Sequence, residues 1–304
     1  MNVPYIDHDA VAGVLRMHDL IPCMRQAMID FSAGRIQQPA RRIMEVSEHG
    51  GYFGGMPGVS PGAMGAKLVA FYPRNADKGL ETHMALIALL DPATGRPLVT
   101  MDGGLITKMR TAAVTAAFVD AVAAPGVASL AVLGAGAQAE SHLEALSLVR
   151  EFSDVRIWNR APQRAAALAD SVGGRALSAE EAVRGADVVI AATGASEPVL
   201  SGDWIKAGAT VASVGWSGPD GSELDAATMA NTVIVDSREG ALVESGNVRR
   251  WNAEIRAELG EILDGNATVE ASETVVFESI GMACQDLAAA ALVMSKLHLG
   301  ERSK

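Results

Sequence analysis

The sequence of 304 residues contains only two cysteines, Cys23 and Cys284, and they lie far apart. This spacing favours two reduced, buried thiols over a disulfide or a metal-binding pair. The six histidines form no H-x-H or H-E-x-x-H pattern, so we expect no metal site. The chain also lacks the glycine–lysine phosphate loop of a P-loop nucleotide hydrolase, which argues against that class of enzyme.

Basic residues are outnumbered by acidic ones: the chain has 25 Lys and Arg and 36 Asp and Glu, which gives a formal net charge of −11. A nucleic-acid-binding surface needs a basic patch, so this balance argues against nucleic acid and gives no reason to expect an anionic membrane as a partner. The most apolar stretch, residues 112–137, is interrupted by Asp120 and Pro125 and does not indicate a membrane span. Because the N-terminus shows no pattern of a secretory signal, the expected location is the cytoplasm.

What the chain does contain is a glycine-rich turn between two ordered segments. An apolar run at residues 129–133 leads into Gly134-Ala-Gly136-Ala-Gln-Ala139, and a helical pattern follows. In a dinucleotide fingerprint the first glycine permits a tight turn, the second lets the backbone approach a pyrophosphate, and the third small residue lets helix pack on strand. The pyrophosphate then binds the free N–H groups of the helix N-terminus. This pattern predicts a dinucleotide cofactor.

The next predicted strand, Asp154–Trp158, indicates which dinucleotide is bound. It ends in Asn159 and Arg160, with Arg164 one helical turn further on. A site for NAD usually has Asp or Glu about 20 residues after the glycines, where it accepts from the ribose 2′-OH. A guanidinium instead matches a 2′-phosphate through charge-assisted hydrogen bonds. The sequence therefore predicts NADP(H) over NAD(H), and the alternative is two solvated arginines at a helix start.

The periodicity of the chain changes along its length. Residues 8–34 predict a helix, and residues 41–101 predict strands with turns at 50–51 and 91–95. From residue 129 short β-rich runs alternate with helical ones, which predicts a parallel sheet covered by helices. A last helix is predicted in the segment 283–300. The predicted strands are 42–46, 66–72, 84–90 and 97–101 in the first part, and 129–133, 154–158, 187–192, 210–214 and 232–236 in the second.

Three basic residues of the N-terminal part are candidates for chemistry. Lys67 lies in an otherwise apolar strand, where desolvation lowers the pKa of an ammonium and suits it to proton exchange near neutral pH. Arg41 precedes a predicted strand and Arg110 opens an Ala-rich helix, and both suit the binding of carboxylate or phosphate. For each residue alone, ordinary surface charge is the alternative, and spacing does not show that the three converge.

The order of several motifs resembles the ornithine cyclodeaminase/mu-crystallin family over essentially the whole chain. The matching phrases are Gln38-Pro-Ala-Arg41, Gly51-Tyr-Phe-Gly-Gly-Met-Pro57, Lys67-Leu-Val-Ala-Phe-Tyr72, Met101-Asp-Gly-Gly-Leu-Ile-Thr-Lys-Met-Arg-Thr-Ala-Ala113, Gly134-Ala-Gly-Ala-Gln138, Trp158-Asn-Arg160, Glu223-Leu-Asp225, Glu244-Ser-Gly246 and Phe277-Glu-Ser-Ile-Gly-Met-Ala283.

The resemblance implies a fold and an organisation into domains. The fold class is α/β, with a Rossmann-type parallel-sheet domain beside a discontinuous α+β domain for substrate binding and dimerisation. We expect residues 118–282 to form the NADP-binding domain, and residues 1–117 together with 283–304 to form the other. The family is typically dimeric, so a homodimer is expected, although no sequence feature fixes its interface.

The resemblance also implies roles for individual residues. Arg41 and Arg110 would hold the substrate carboxylate, Lys67 would exchange a proton with the reacting group, and Glu244 would border the substrate pocket. His83 is implied as a cofactor residue, although an isolated histidine is often only structural. The other residues implied for the cofactor are Thr82, Arg110, Thr111, Gly134, Gly136, Ala137, Gln138, Asn159, Arg160, Arg164, Thr193, Val214 and Ser279.

Departures from the family pattern narrow the activity. Cyclodeaminases of the family carry an aspartate near Ser217 and a glutamate near Gly54, and neither carboxylate is present. Together with Asn159-Arg160, these changes match the mu-crystallin branch, which implies NADPH-dependent reduction of a cyclic 2-carboxy imine to an amino acid. Glu278 stands where that branch has lysine, which leaves substrate preference open. The alternatives are an amino-acid dehydrogenase such as alanine dehydrogenase, an ornithine cyclodeaminase, and a cofactor-bearing protein that binds a ligand without turnover.

Overall fold

The computed structural model describes residues 3–216 and 220–299. Its first half contains β1 (Tyr5–Ile6), α1 (His8–Val14), α2 (Met17–Ser32), β2 (Arg42–Val46), β3 (Gly51–Ser60), β4 (Ala63–Phe71), β5 (His83–Leu90), β6 (Pro97–Asp102) and α3 (Gly104–Val122). Its second half contains β7 (Ser129–Leu133), α4 (Ala137–Ser147), β8 (Asp154–Trp158), α5 (Pro162–Ser171), β9 (Arg175–Ala176), α6 (Ala179–Val183), β10 (Val188–Ala191), β11 (Thr210–Ser213), α7 (Ala226–Met229), β12 (Thr232–Val235), α8 (Arg238–Glu244), α9 (Gly246–Trp251), β13 (Ile255–Glu258), α10 (Leu259–Leu263), β14 (Val275–Glu278) and α11 (Ala283–Lys296).

The chain divides into two compact units, one of residues 1–110 with 282–304 and one of residues 111–281. The division falls inside α3. Each unit contains one sheet, and the predicted α/β class with a Rossmann-type parallel sheet is confirmed. The assignment of substrate binding to one part and NADP binding to the other stays a prediction.

The first unit is built on a six-stranded sheet in the order β1-β6-β5-β4-β3-β2. All neighbours are antiparallel except β1 and β6. Lys67 pairs with Met56 on one side and Ile87 on the other, and all three residues are buried. Since side chains of paired residues lie on the same face, this face forms the core of the unit, and α11 packs on it.

The opposite face of this sheet, which we call the outer face, is apolar and exposed. The registers place five large side chains on it, with exposed fractions between 37% and 57%. Isolated exposed apolar residues are common, but a contiguous set on one face marks an interaction surface. The residues are Met44, Phe53, Leu68, Met84 and Leu86.

The structure corrects two details of the predicted first part. The predicted helix over 8–34 is interrupted between α1 and α2, where the Arg16 guanidinium donates to the carbonyls of Ala12, Gly13 and Leu15 at the end of α1. The strand β3 was absent from the prediction because its glycines resemble a turn. Gly50 does form a turn, with φ of +60°, but the strand begins at the next residue.

The second unit is an eight-stranded parallel sheet in the order β13-β12-β14-β11-β10-β7-β8-β9. The predicted strands of this region are confirmed, whereas β9, β13 and β14 were not predicted. Phe118 of α3 stacks on Phe277 of β14, with ring centroids 4.9 Å apart, in the core of the unit. Ligands of open parallel sheets bind outside the carboxyl ends of the strands, so the segments after β7, β10, β11 and β14 are the candidates for a site.

Membrane spans and metal clusters were expected to be absent. Over 3–216 and 220–299, no helix has the length and apolar character needed to span a membrane. The same residues contain no group of three or more His, Cys, Asp or Glu positioned to hold a metal ion. Cys284 is buried, Cys23 is half-buried, and no disulfide joins them.

Candidate active site

The turn after β7 has the geometry of a dinucleotide-binding turn. The Gly134 N–H donates to the carbonyl of Trp158, at 2.7 Å, which ties the turn to the end of β8. Gly134 has φ of +127°, and a Cβ there would lie 2.4 Å from the carbonyl oxygen of Ala192. Only glycine fits both the backbone conformation and this close approach.

The second glycine of the turn leaves open space at the start of a helix. Gly136 is the N-cap of α4, and no side chain caps that helix end. A Cβ at Gly136 would meet no atom within 4 Å, so an anion has room beside the first N–H groups, those of Ala137 and Gln138. Ala139 is fully buried and lets α4 pack on the sheet. The described residues at this turn therefore fit the pyrophosphate of a dinucleotide.

The end of β8 carries the residues predicted to distinguish the two dinucleotides. Asn159 donates from Nδ2 to the carbonyl of Ala161, at 3.2 Å. Arg160 and Arg164 are exposed, and no carboxylate of the described residues lies within ion-pair distance of either guanidinium. The end of β8 is therefore followed by two exposed cations that pair with no carboxylate in the described part of the chain.

A buried carboxylate fixes the ends of β10 and β11. Glu223 Oε2 accepts from the Thr193 N–H (3.0 Å) and hydroxyl (2.7 Å), and Oε1 accepts from the Ser213 hydroxyl (2.8 Å) and the Gly215 N–H (2.9 Å). Burial raises the pKa of Glu223 above its usual range, although these four hydrogen bonds oppose the shift. Val214 lies between Ser213 and Gly215, so its position is set by the same carboxylate.

A second buried carboxylate, that of Glu278, lies at the end of β14. It accepts from the Ser245 hydroxyl at 2.6 Å and from Asn247 Nδ2 at 2.8 Å. The same Asn247 nitrogen donates to Ser213 Oγ at 2.9 Å, which links Glu278 to the hydrogen bonds of Glu223. Burial raises the pKa of Glu278 to about 7, and the charge of Glu223 adds to this shift.

The predicted residues Ser279 and Glu244 lie in the same part of the second unit. Ser279 follows β14, donates its N–H to the carbonyl of Ser213 at 3.0 Å, and its hydroxyl lies 3.4 Å from Asp236 Oδ2. Glu244 is the last residue of α8, and it lines a narrow cleft together with Glu223, Glu278 and Ser279. The structure thus brings Thr193, Val214, Ser279 and Glu244 together at the carboxyl edge of the sheet.

In the first unit, the structure brings Lys67 and Arg110 to one carboxylate. Lys67 Nζ lies 2.5 Å from Asp286 Oδ2, and Arg110 Nε donates to Asp286 Oδ1 at 2.9 Å. Arg110 Nη1 donates to Gln285 Oε1 at 2.7 Å. Lys67 is 2% exposed, Arg110 5% and Asp286 0%. We call these three charged residues the ion cluster.

The pKa values of both Lys67 and Asp286 are shifted in the ion cluster. Burial lowers the pKa of Lys67 to about 8, with Arg110 and Arg41 adding to the shift and Asp286 opposing it. Burial also acts on Asp286, but Arg110 and Lys67 hold the pKa of that carboxyl below its usual range. A lysine with this pKa suits proton exchange near neutral pH, and the role of Lys67 in such an exchange stays a prediction.

Other predicted residues of the first unit lie around this cluster. His83, the first residue of β5, is half-buried, and burial with the charges of Lys67 and Arg110 lowers its pKa to about 4, so it is neutral at pH 7. Thr82 accepts at its carbonyl from the Tyr72 N–H, at 2.8 Å. Arg41 is half-buried directly before β2. Thr111 follows Arg110 in α3, is buried and belongs to the second unit.

Four residues that organise these groups were given no role from the sequence. Asp286 and Gln285 contact Lys67 and Arg110, and Glu223 and Asn247 connect the strand ends of the second unit. The only signal for the first pair was a polar Gln-Asp step inside an Ala-rich helix. The departure at Ser217 lies outside the described residues, and Gly54 is buried in β3.

Taken with the fold, these sites define a class: a Rossmann-type protein with a dinucleotide turn in one unit and a buried lysine–carboxylate–arginine cluster in the other. The chain belongs to the ornithine cyclodeaminase/mu-crystallin family, whose sequence profile matches residues 6–301. The resemblance stated from the sequence is confirmed.

Individual relatives cover nearly the whole chain. The ketimine reductase mu-crystallin of Rattus norvegicus is 42% identical over an alignment of 307 positions that covers 98% of each protein. Among solved structures, the Δ1-pyrroline-2-carboxylate reductase of Thermococcus litoralis in complex with NADH and L-proline superposes with a TM-score of 0.93 at 33% identity, covering 98% of both chains. An archaeal alanine dehydrogenase dimer with bound NAD also gives 0.93, at 27% identity, covering 100% of this chain and 98% of that one.

Proposed function

We propose that this protein is an NADPH-dependent reductase that converts a cyclic 2-carboxy imine, of the Δ1-pyrroline-2-carboxylate or Δ1-piperideine-2-carboxylate type, to the L-amino acid. The observation that carries the proposal is Lys67, a buried ammonium with a pKa of about 8 beside Arg110. The relatives named ketimine reductase and pyrroline-2-carboxylate reductase support the same chemistry.

Lys67 is the group proposed to move the proton. Bound NADPH supplies the hydride that reduces the C=N bond. A protonated imine accepts hydride more readily than a neutral one, and an ammonium with a pKa of about 8 donates to the imine nitrogen at neutral pH and takes its proton back from water. His83 is neutral under these conditions and does not compete as an acid.

Arg41 and Arg110 are proposed to hold the substrate carboxylate. Two nitrogens of Arg110 already bond to Asp286 and Gln285, and its Nη2 bonds to none of the described residues. A guanidinium fixed in this way presents its remaining edge with little loss of side-chain freedom. We expect this arrangement to select 2-carboxy imines over imines without a carboxylate. Glu244 is proposed to border the same substrate.

For the cofactor we propose a preference for NADP(H) over NAD(H). Gly134, Gly136, Ala137 and Gln138 would hold the pyrophosphate, and the arginines at the end of β8 the 2′-phosphate. Exposed guanidiniums without an acidic neighbour among the described residues support this preference. The other residues proposed to line the cofactor are Thr82, His83, Arg110, Thr111, Asn159, Thr193, Val214 and Ser279.

The deciding experiment follows absorbance at 340 nm during oxidation of NADPH and, separately, NADH. The substrates are Δ1-pyrroline-2-carboxylate and Δ1-piperideine-2-carboxylate, compared with pyruvate plus ammonia. We expect rapid oxidation of NADPH with a cyclic imine and little with pyruvate. Turnover that requires a 2-oxo acid and ammonia would instead establish an amino-acid dehydrogenase, which the similarity to alanine dehydrogenase makes the second candidate.

The remaining alternatives are separated by adding ornithine as a substrate and measuring released ammonia beside the absorbance at 340 nm. An ornithine cyclodeaminase would release ammonia from ornithine without net oxidation of the cofactor, but Gly54 supplies no carboxylate for a side-chain amine. A protein that binds ligands without turnover would leave both cofactors unoxidised with every substrate. Lys67 in its ion cluster argues for catalysis over binding alone.

We further propose that the protein is a homodimer that pairs through the outer face. The exposed side chains there form an apolar surface on a sheet whose other face is already covered by α11. Leu68→Glu is expected to yield monomers by light scattering after size exclusion, while Leu148→Glu, at an exposed leucine of the second unit, leaves the mass unchanged. A monomeric unmodified protein would contradict the proposal. A cytoplasmic location stays a prediction of the sequence.

A further inference from the structure

Asp286 is the most buried charged group of the ion cluster, and it was not among the residues implied by family resemblance. It is the fourth residue of α11, whose neighbours in the helix are mainly alanine. A carboxylate with 0% exposure is costly unless it is paired and hydrogen-bonded. Here each oxygen has its own cation, Oδ1 the Arg110 Nε and Oδ2 the Lys67 Nζ.

Without this carboxylate, the charged groups that act on Lys67 would all be positive. Arg110 of α3 and Arg41 before β2 both destabilise a third positive charge, and His83 of β5 is neutral at pH 7. Asp286 of α11 is the group that opposes them. If this carboxylate were removed, burial and two guanidiniums would act together against the ammonium form of Lys67.

The same carboxylate also fixes Arg110. Gln285 accepts from Arg110 Nη1 and from the Met282 N–H, at 3.1 Å, and its Nε2 lies 3.3 Å from Met28 Sδ. Asp286 and Gln285 therefore hold two edges of one guanidinium from consecutive positions of one helix. A side chain held at two points keeps its orientation without a ligand.

We propose that Asp286 is a positioning residue: it keeps Lys67 in the ammonium form and orients Arg110, and so couples the proton donor to the carboxylate clamp. This inference rests on the proposed function for its kinetic consequences. The charge of Lys67 itself can be measured without substrate or cofactor.

The charge of Lys67 can be titrated directly. The chain has only six lysines, so ¹³Cε-lysine labelling gives few resonances, and Lys67→Met identifies the one from Lys67. We expect its midpoint near pH 8 in the unmodified protein and at least one pH unit lower in Asp286→Asn. Asp19→Asn, which removes a carboxylate paired with Lys296 in the same unit, is the matched control and leaves the Lys67 midpoint in place. An unchanged midpoint in folded Asp286→Asn would overturn the inference.

Kinetics provide the second readout. In Asp286→Asn the alkaline fall of kcat/KM with the cyclic imine should move down by the same interval as the titration, so kcat/KM at pH 8 should be at least about fivefold lower. Asp286→Glu keeps the charge, so it should keep the midpoint within about half a pH unit. This variant also preserves the test if Asp286→Asn does not fold. Equal damage by Glu and Asn, with both midpoints unchanged, would indicate a purely structural role.

The two readouts separate the possible failures. If the unmodified protein reduces no cyclic imine, the proposed function is wrong, but the lysine titration still decides the role of Asp286. If the protein reduces the imine and the titration does not respond to Asp286→Asn, the inference about Asp286 fails alone.

Discussion

In the first unit a buried carboxylate contacts two cations, whereas in the second unit two buried carboxylates are surrounded by neutral donors. Asp286 is held ionised by Lys67 and Arg110. Glu223 and Glu278 bond only to hydroxyls, amides and backbone N–H groups in the contacts seen among the described residues. The pKa of the first carboxyl is therefore lowered, and the pKa values of the other two are raised.

The ion cluster of the first unit is suited to chemistry, whereas the buried carboxylates of the second unit hold backbone segments in place. Burial and the neighbouring guanidiniums lower the pKa of Lys67 to about 8, and the contact with Asp286 keeps it from falling further, so a proton can be exchanged near neutral pH. The neutral donors around Glu223 instead come from two strand ends and a loop, so one carboxylate fastens several backbone segments. We expect substitutions in the ion cluster to change turnover, and substitutions of Glu223 and Glu278 to change stability.

The largest effect should follow Lys67→Met. Methionine fills the buried space but cannot donate a proton, so kcat with the cyclic imine should fall by about 10²- to 10⁴-fold. Binding of NADPH, measured by fluorescence titration, should change little. Lys78→Met, which makes the same substitution at an exposed lysine, should retain full activity. Full turnover in Lys67→Met would show that its proton is not used.

Lys67 was predictable because its signal is local. A charged residue in an apolar strand stands out in the sequence, and the strand β4 was predicted close to its observed bounds. Its contact with Asp286 was not predictable. Asp286 lies far along the chain from both of its cations, 176 positions from Arg110, and no periodicity brings such distant residues together. Glu223 and Asn247 were missed for the same reason, as their partners lie on other strands and loops.

The strand β3 shows how tertiary packing overrides a local signal. Its glycines and Pro57 are typical of turns. In the structure, a Cβ on Gly58 would lie 3.2 Å from Leu287 Cδ1 and 3.4 Å from Ala283 Cβ of α11, so a side chain there would require these neighbours to shift by a few tenths of an ångström. The strand, the glycine turn and the helix at 129–147 were predicted correctly because these elements are adjacent in the chain.

The next largest effect is expected from Glu223→Gln, and it should appear in stability. An amide retains one acceptor, but its NH2 group must face either the Thr193 or the Gly215 N–H. A buried donor left without an acceptor costs about 1–3 kcal/mol, and distortion of the shared network brings the expected loss to roughly 4 kcal/mol. Denaturant unfolding would measure it, with Glu151→Gln, at an exposed position, as the control. A loss below about 1 kcal/mol would contradict the fastening role.

A smaller effect should depend on pH. The pKa of Glu278 is about 7 in the folded protein and 4.5 ordinarily, so the folded state holds more protons between these values. The contribution of Glu278 to stability is therefore present below pH 4.5 and lost as pH rises to 7, by about 3 kcal/mol. Glu278→Gln should remove this dependence, so the difference in unfolding free energy between the two proteins should change across that interval. A difference that is constant with pH would mean that Glu278 does not titrate there.

Lys67 should act in a different interval and with the opposite sign. Its folded pKa of about 8 lies below the ordinary 10.5, so its contribution to stability is present above pH 10.5 and lost as pH falls to 8. The unfolding free energy of Lys67→Met, compared with that of the unmodified protein, should therefore change only on the alkaline side. The pH dependence of the unfolding free energy would then distinguish Lys67 from Glu278 without any measurement of activity.

The smallest effect is expected from charges that are exposed, since solvent screens them. Arg160→Ala should lower kcat/KM with NADPH by about tenfold and leave kcat/KM with NADH within a factor of two, because only the 2′-phosphate loses a partner. Arg175→Ala, which removes an exposed arginine that pairs with Asp154 in the same unit, should change neither value. The selectivity should also decline with added salt, whereas the Lys67 midpoint, set within a buried cluster, should shift little. Equal losses with both cofactors would place Arg160 near a part of the dinucleotide that they share.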